Sequence, residues 1–241
     1  MELLQKLISD VPDIPVQEVI VGVFSTLVKT TNGCGIASTL RYERPHRRIT
    51  NSGELERFNL RELAEYALSD NLLEASVGMA AINSIFPTDD LRYRNVNGTD
   101  LLLENGAGKT LGIIGHFPFL ERVSDQFKKV YIFEKFPKPG DLLEEDIPTY
   151  LPRADVVAIT ATSVTNHTFD DIMRWTSPNS YKLLLGPSTT LSPLFFERGI
   201  DALAGSVVMN YEKLRMQVLQ ATPTRYLSGI RQVCLLRKDC L

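Results

Sequence analysis

From residue 110 onward the apolar residues fall in unbroken runs of about five, separated by stretches with helical spacing. The runs are 111–115, 130–134, 156–160, 183–186 and 202–208. Helices are expected near 119–128, 168–176, 193–198 and 211–220, with a helix or loop over 141–150 and a final edge strand over 230–237. A strand that is apolar on both sides is covered on both faces, and strands alternating with helices form a parallel sheet. With right-handed crossovers this predicts a doubly wound, mostly parallel, Rossmann-like α/β sheet.

The chain before that point has a different rhythm. Leu3, Leu4, Leu7 and Ile8 share one face of a short helix, which Pro12 and Pro15 end. Residues 16–30 are apolar and β-branched with Gly22 inside, and predict one long or bulged strand. Thr31-Asn32-Gly33 turns it into a second strand over 34–42, a β-hairpin. A polar loop over 43–53 follows, where a short third strand stays open. Residues 59–69 read as a helix capped by Asn59, and 71–86 as a helix apolar nearly all round, ended by Pro87. Hairpin first and helices after is an α+β pattern. The organisation expected is a small α+β domain over 1–87, a linker over 88–109 with a short helix at 100–104, and the Rossmann-like domain over 110–241.

Composition narrows the class. The 241 residues carry a net charge of −3, so no bulk field draws the chain to nucleic acid or an anionic membrane. Cys34, Cys234 and Cys240 are odd in number and far apart, which is no disulfide framework and fits a reducing compartment. The amphipathic start is unlike a signal peptide, and no apolar run approaches the roughly 20 residues of a membrane span. A cytoplasmic location is the expectation, and a homo-oligomer is left open.

In an open α/β sheet the ligand crevice lies beyond the carboxyl ends of the strands. Those ends hold Gly115-His116-Phe117-Pro118, Glu134-Lys135, Thr160-Ala161-Thr162-Ser163 and Gly186-Pro187-Ser188-Thr189-Thr190, rich in hydroxyls and small residues. The first is not GxGxxG, so ordinary dinucleotide binding is not expected, although Glu134 sits where a ribose-binding acid would. Residues 105–110 (NGAGKT) imitate a P-loop, but Leu103 stands where its first glycine belongs and the strand follows the loop. His116, His167 and Glu134, with Cys34 reaching over from the hairpin, are the metal candidates, although no local ligand spacing supports them. Thr168 is placed to cap a helix that begins with Asp170 and Asp171. Ser163 with His167 is a conceivable nucleophile–base pair without a nucleophile elbow, and His116 or His167 could act as a general base near neutral pH. Arg41, Arg44, His46, Arg47 and Arg48 form a basic patch that reads as a solvated loop.

LGIIGHFPFL, VYIFEKFP, AITATSVTNHTFDDIM and LLLGPSTTLSPLFF, in this order, resemble the Rossmann-like domain of the putative heavy-metal chelation family, a prokaryotic family. VGVFSTLVKTTNGCGIAST and LLEASVGMAAINSIF resemble its enolase-N-terminal-like partner domain. The resemblance implies a ligand pocket between the two domains. It carries over Gly115, His116, Phe117 and Pro118; Glu134, Thr160, Thr162, Asn166 and Thr168; Gly186, Pro187 and Ser188; and, from the small domain, Asn32, Gly33 and Asn83. It brings no enolase chemistry, because enolase's catalytic acids and magnesium ligands lie in a barrel absent here. The expected partner is a small molecule or a metal complex, either a divalent metal or a nucleotide-, pterin- or flavin-like heteroaromatic. Metal handling is one reading and an enzyme acting on such a molecule is the other.

Overall fold

The computed structural model describes residues 1–41, 45 and 47–240. Helix α1 (Glu2–Ser9) buries Leu3, Leu4, Leu7 and Ile8, the stripe its spacing predicts. Three antiparallel strands follow in the order β1 (Val16–Val21), β2 (Ser25–Thr30) and β3 (Cys34–Ser38). The single long strand expected over 16–30 is thus two strands. Gly22 N donates to Ser25 O at 3.0 Å and folds β2 back on β1. A Cβ at Gly22 would stand 2.5 Å from Val218 and 2.9 Å from Ser25 O, so the reversal depends on glycine there. The expected turn at residues 31–33 joins β2 to β3. Tyr42, Glu43, Arg44 and His46, on which part of the polar loop and basic patch fall, lie outside the described residues.

Helix α2 (Leu60–Glu65) starts with a capping box: Asn59 Oδ1 accepts from Glu62 N at 2.9 Å and the Glu62 carboxylate accepts from Asn59 N at 2.8 Å. Helix α3 (Leu72–Asn83) is buried nearly all round. Its backbone lies directly on β3 and on the turn at 66–68. A Cβ on Gly35 would meet Ala80 O at 2.0 Å, and one on Gly78 would meet Ala67 N at 1.9 Å.

After α4 (Gly98–Gly106) come β4 (Thr110–Ile114), α5 (Leu120–Val123), β5 (Lys129–Phe133), α6 (Ile147–Tyr150), β6 (Val156–Thr160), α7 (Thr162–Thr165) and α8 (Phe169–Arg174). Then follow β7 (Tyr181–Leu185), α9 (Leu194–Glu197), β8 (Ala202–Val208), α10 (Tyr211–Leu219) and β9 (Ile230–Leu236). The six strands form one sheet in the order β5-β4-β6-β7-β8-β9, parallel except for β9, which runs antiparallel at the edge. This is the mostly parallel Rossmann-like sheet the apolar runs predict.

Alternation along the strands divides the core. Leu111, Ile113, Val156, Ala158, Leu183 and Leu185 face α4 and α5 through Leu101, Leu102 and Leu120. Val157, Ile159, Phe133 and Leu184 face Ile147, Phe169, Ile172 and Phe195, in a core continuous with α1 and α3. Helix α10 packs Leu214 and Val218 on Ile20, Leu27 and Ile36 of the small sheet. Both margins of the large sheet are occupied: Arg94 pairs with Cys234 of β9, and Leu142 with Phe133 of β5. Among the described residues, no helix is long and apolar enough to cross a membrane.

Candidate functional site

Strand β4 is flanked by β5 on one side and β6 on the other, so the chain reverses its direction of travel across the sheet at β4. In doubly wound sheets this switch point opens a crevice at the carboxyl ends of the strands. A cavity of about 500 Å³ opens there, within the range typical of small-molecule sites. Its floor is the ends of β4, β5 and β6: Ile114 to Phe117, Phe133 and Glu134, and Thr160, Thr162 and Ser163. Its walls are Ile147 and Pro148 of α6, with Asp171, Ile172 and Trp175 at α8.

Gly115 turns the chain off β4 with φ +96°, a conformation that favours glycine. A Cβ there would also lie 3.3 Å from Thr160. Glu134 ties the first two loops together. Its Oε2 accepts from His116 N at 2.9 Å, and its Oε1 accepts from Lys135 N at 2.8 Å and Phe136 N at 3.3 Å. His116 Nδ1 lies 3.3 Å from Asp141 Oδ2, a carboxylate whose side chain is only 4% exposed and which also accepts from Lys138 N. On the third loop the Thr160 and Thr162 hydroxyls share a hydrogen bond of 2.9 Å, and Ser163 Oγ donates to Thr160 O at 2.7 Å. Asn166 Oδ1 accepts from the Thr168 hydroxyl at 2.7 Å and from Thr168 N at 3.2 Å. Thr168 therefore precedes α8 without capping it through its side chain, and Asn166 has a defined partner.

Three aromatic rings complete the site. Phe117 stacks near Phe119, with ring centroids 5.4 Å apart, while Phe136 and Trp175 stand exposed at the mouth. Sequence reasoning singled out Phe117 but missed Phe136, Trp175, Glu144, Glu145 and Asp171. The usable signal was position, since Phe136 lies just past a strand end and Trp175, the only tryptophan, lies at the end of a predicted helix.

Thus Gly115, His116, Phe117, Glu134, Thr160, Thr162, Asn166 and Thr168 come together around one cavity, and Ser163 joins them. Pro118 follows the rim without lining the cavity. The remaining candidates lie elsewhere. Ser188 is 1% exposed and its Oγ accepts from Ser38 N at 2.7 Å. Asn83 donates to Ile36 O at 3.0 Å and Ser188 O at 3.3 Å, and accepts from the Thr190 hydroxyl at 2.6 Å. Gly186 takes φ +125° and leads with Pro187 into that seam. Asn32 and Gly33 form the β2–β3 turn, their N–H groups donating to Thr30 Oγ1. The seam between the two sheets is filled by these contacts, so the cavity is lined by residues 114–175 and differs from the expected pocket between the two units.

Of the proposed metal ligands, His116 and Glu134 share the cavity and His167 and Cys34 do not join them. His167, held at φ +64°, points its Nε2 away from the cavity to donate to Ala67 O at 2.8 Å. Ser163 Oγ donates to Thr160 O, so the two residues are each engaged elsewhere and form no nucleophile–base pair. Cys34 sits in the small sheet, where burial pushes its thiol up to about 12, so it is no ready thiolate. Among the described residues, no group of three or more His, Cys, Asp or Glu side chains is placed to hold a metal ion. In the basic patch, Arg41 donates to Val23 O, Arg47 to Asp70 and Arg48 to Ser52.

Fold and site together define an α/β protein with a Rossmann-like sheet and an aromatic-rimmed cavity at the strand switch point. The chain belongs to the DUF364 family, described as putative heavy-metal chelation, whose model matches residues 97–236. A second family model with the same description, DUF4213, matches residues 4–86. An uncharacterized protein of Methanocaldococcus jannaschii is 28% identical over 221 residues, 86% of this chain and 83% of its own length. The crystal structure of a DUF364 protein of unknown function from Desulfitobacterium hafniense superimposes with a TM-score of 0.82 at 27% identity, covering 98% of this chain and 97% of that one. A second DUF364 structure, from Pyrococcus horikoshii, has the same fold, with a TM-score of 0.82 at 24% identity and coverage of 97% and 98%.

Proposed function

We propose that this protein binds a flat small molecule, a heteroaromatic or a planar metal complex, in the cavity at the ends of β4, β5 and β6. The observation that carries this reading is the pairing of three rings, Phe117, Phe136 and Trp175, with one hydrogen-bonding edge, the Thr160–Thr162 hydroxyl pair. Concave sites of this kind hold the ligand body by apolar contact and fix its orientation with a few polar groups. The family description points to metal. Because His167 and Cys34 lie away from the cavity and only His116 and Glu134 of the four donors line it, the metal would enter already complexed by its ligand, with the protein gripping the complex.

The test uses Trp175, the only tryptophan, as a built-in reporter. Flat heteroaromatics and planar metal chelates are titrated against its fluorescence, and melting temperature is followed in parallel. A binder at 100 times its Kd stabilises the native state by about 2.7 kcal/mol. The expected result is quenching together with a raised melting temperature, both weakened in a Thr160→Val, Thr162→Val variant. A panel in which nothing quenches Trp175 or raises the melting temperature overturns the reading.

A further inference from the structure

In sheets of this order a nucleotide's phosphate rests on backbone N–H groups just past the first strand. Here the first of those groups, His116 N, already holds a negative charge, the carboxylate of Glu134 at the end of β5. Both oxygens of the Glu134 carboxylate are engaged, by His116 N on one side and by Lys135 N and Phe136 N on the other. Beyond Phe117 N, the next position along the first loop is Pro118, which has no N–H.

The surroundings have the same sign. Asp141 is buried behind His116, and Glu144, Glu145 and Asp171, the last ion-paired with Arg174 at 2.9 Å, stand on the cavity wall. Lys135 is the single Lys or Arg in the described lining. A phosphate brought here would face carboxylates in a partly desolvated space, where like-charge repulsion is weakly screened. The ring faces of Phe117, Phe136 and Trp175 have the opposite preference, since aromatic faces attract cations.

We infer that the cavity selects flat ligands without phosphate, cationic ones or complexes carrying a metal cation above neutral ones, and rejects phosphorylated counterparts of the same ring. Glu134 acts as an internal substitute for the phosphate that related sheets bind. This inference rests on the preceding reading that the cavity is a ligand site, and it excludes nucleotides and phosphorylated flavins from the classes that reading admits.

The experiment is calorimetric titration of the full chain with three planar probes: proflavine, which is cationic; riboflavin, which is neutral; and FMN, which is riboflavin with a phosphate. Riboflavin is expected to bind at least about tenfold more tightly than FMN, a difference of about 1.4 kcal/mol. Proflavine is expected to bind tightest, with an affinity that falls as salt rises. The exposed carboxylates are then neutralised in a Glu144→Gln, Glu145→Gln, Asp171→Asn variant, with melting temperature as the check on folding. That variant should narrow the gap between proflavine and riboflavin and recover part of the FMN affinity. FMN binding as well as or better than riboflavin, or proflavine binding worst, overturns the charge selection and leaves the cavity as a ligand site. Failure of all three probes to bind overturns the ligand-site reading and this inference with it.

Discussion

Asn83 offers a sharp test of where the ligand site ends. Its position implies a ligand-binding role by family resemblance, whereas its hydrogen bonds make it a pin between the two sheets. Replacing it with alanine removes donors to Ile36 O and Ser188 O and the acceptor for the Thr190 hydroxyl, and Thr190 is only 1% exposed. Leaving a buried donor or acceptor unsatisfied costs about 1–3 kcal/mol, and partial hydration at the seam edge tempers the sum, so about 3 kcal/mol is expected for Asn83→Ala. For a chain of this length that is a drop in melting temperature of roughly 6–12 °C. Thr190→Val alone should cost about 1 kcal/mol, and in the double variant the two losses should fail to add by a similar amount, because they share one hydrogen bond. Probe affinity at Trp175, measured well below the lowered melting temperature, should stay within about twofold, a difference of under 0.5 kcal/mol. An Asn83→Ala protein that melts normally yet no longer binds a probe that quenches Trp175 would refute the argument and return Asn83 to the ligand.

Gly78→Ala should prove more damaging than Asn83→Ala, because the new methyl would sit 1.9 Å from Ala67 N and 2.6 Å from Ala67 Cα, which are backbone atoms that cannot rotate away; soluble yield and thermal unfolding report it. Hydrogen bonds from Arg215, opposed by burial and assisted by the Tyr211 hydroxyl, hold the Glu18 carboxyl below its ordinary value of 4.5. The folded-state value being the lower one, this tie between β1 and α10 stabilises fully above pH 4.5 and is lost as pH falls through the lowered value. Glu18→Gln should therefore flatten the acid limb of a plot of melting temperature against pH, and an unchanged limb would count against the tie. Burial pushes the thiols of Cys34 and Cys234 up to about 12, so at pH 8 a thiol reagent should leave both unmodified until denaturant exposes all three cysteines; rapid native labelling of Cys34 would contradict its placement.

Apolar runs made the large sheet legible because a strand covered on both faces needs little beyond continuous hydrophobicity, and β6 and β8 span the same residues in the sequence pattern and in the structure. The β1–β2 turn was not legible, since Gly22-Val23-Phe24 has none of the Asn or Asp residues that usually announce a reversal. At the site, the strand-end rule located the loops, and Glu134 was singled out as a candidate acid. Its partners are backbone N–H groups, which no sequence displays. His167 was misplaced for a related reason: the left-handed turn at its own φ decides which way the ring points, and that conformation is uncommon for a non-glycine residue even though histidine is among the types enriched in it. Ser188 looks like a ligand residue because small polar groups suit a binding rim and a buried inter-sheet seam equally well, and Asn83 entered through the family resemblance alone.

The two short pairings at the margins of the large sheet, Arg94 on β9 and Leu142 on β5, have a consequence for how this protein meets its neighbours. An uncovered outer strand offers free amides and carbonyls to any passing chain and is a common starting point for runaway stacking. Here each outer strand is partly occupied by a stitch of its own polypeptide, with Arg94 further clasped by Asp239. Strand-by-strand recruitment of a second molecule would first have to unpick those stitches, so the sheet is guarded against polymerising through its own backbone.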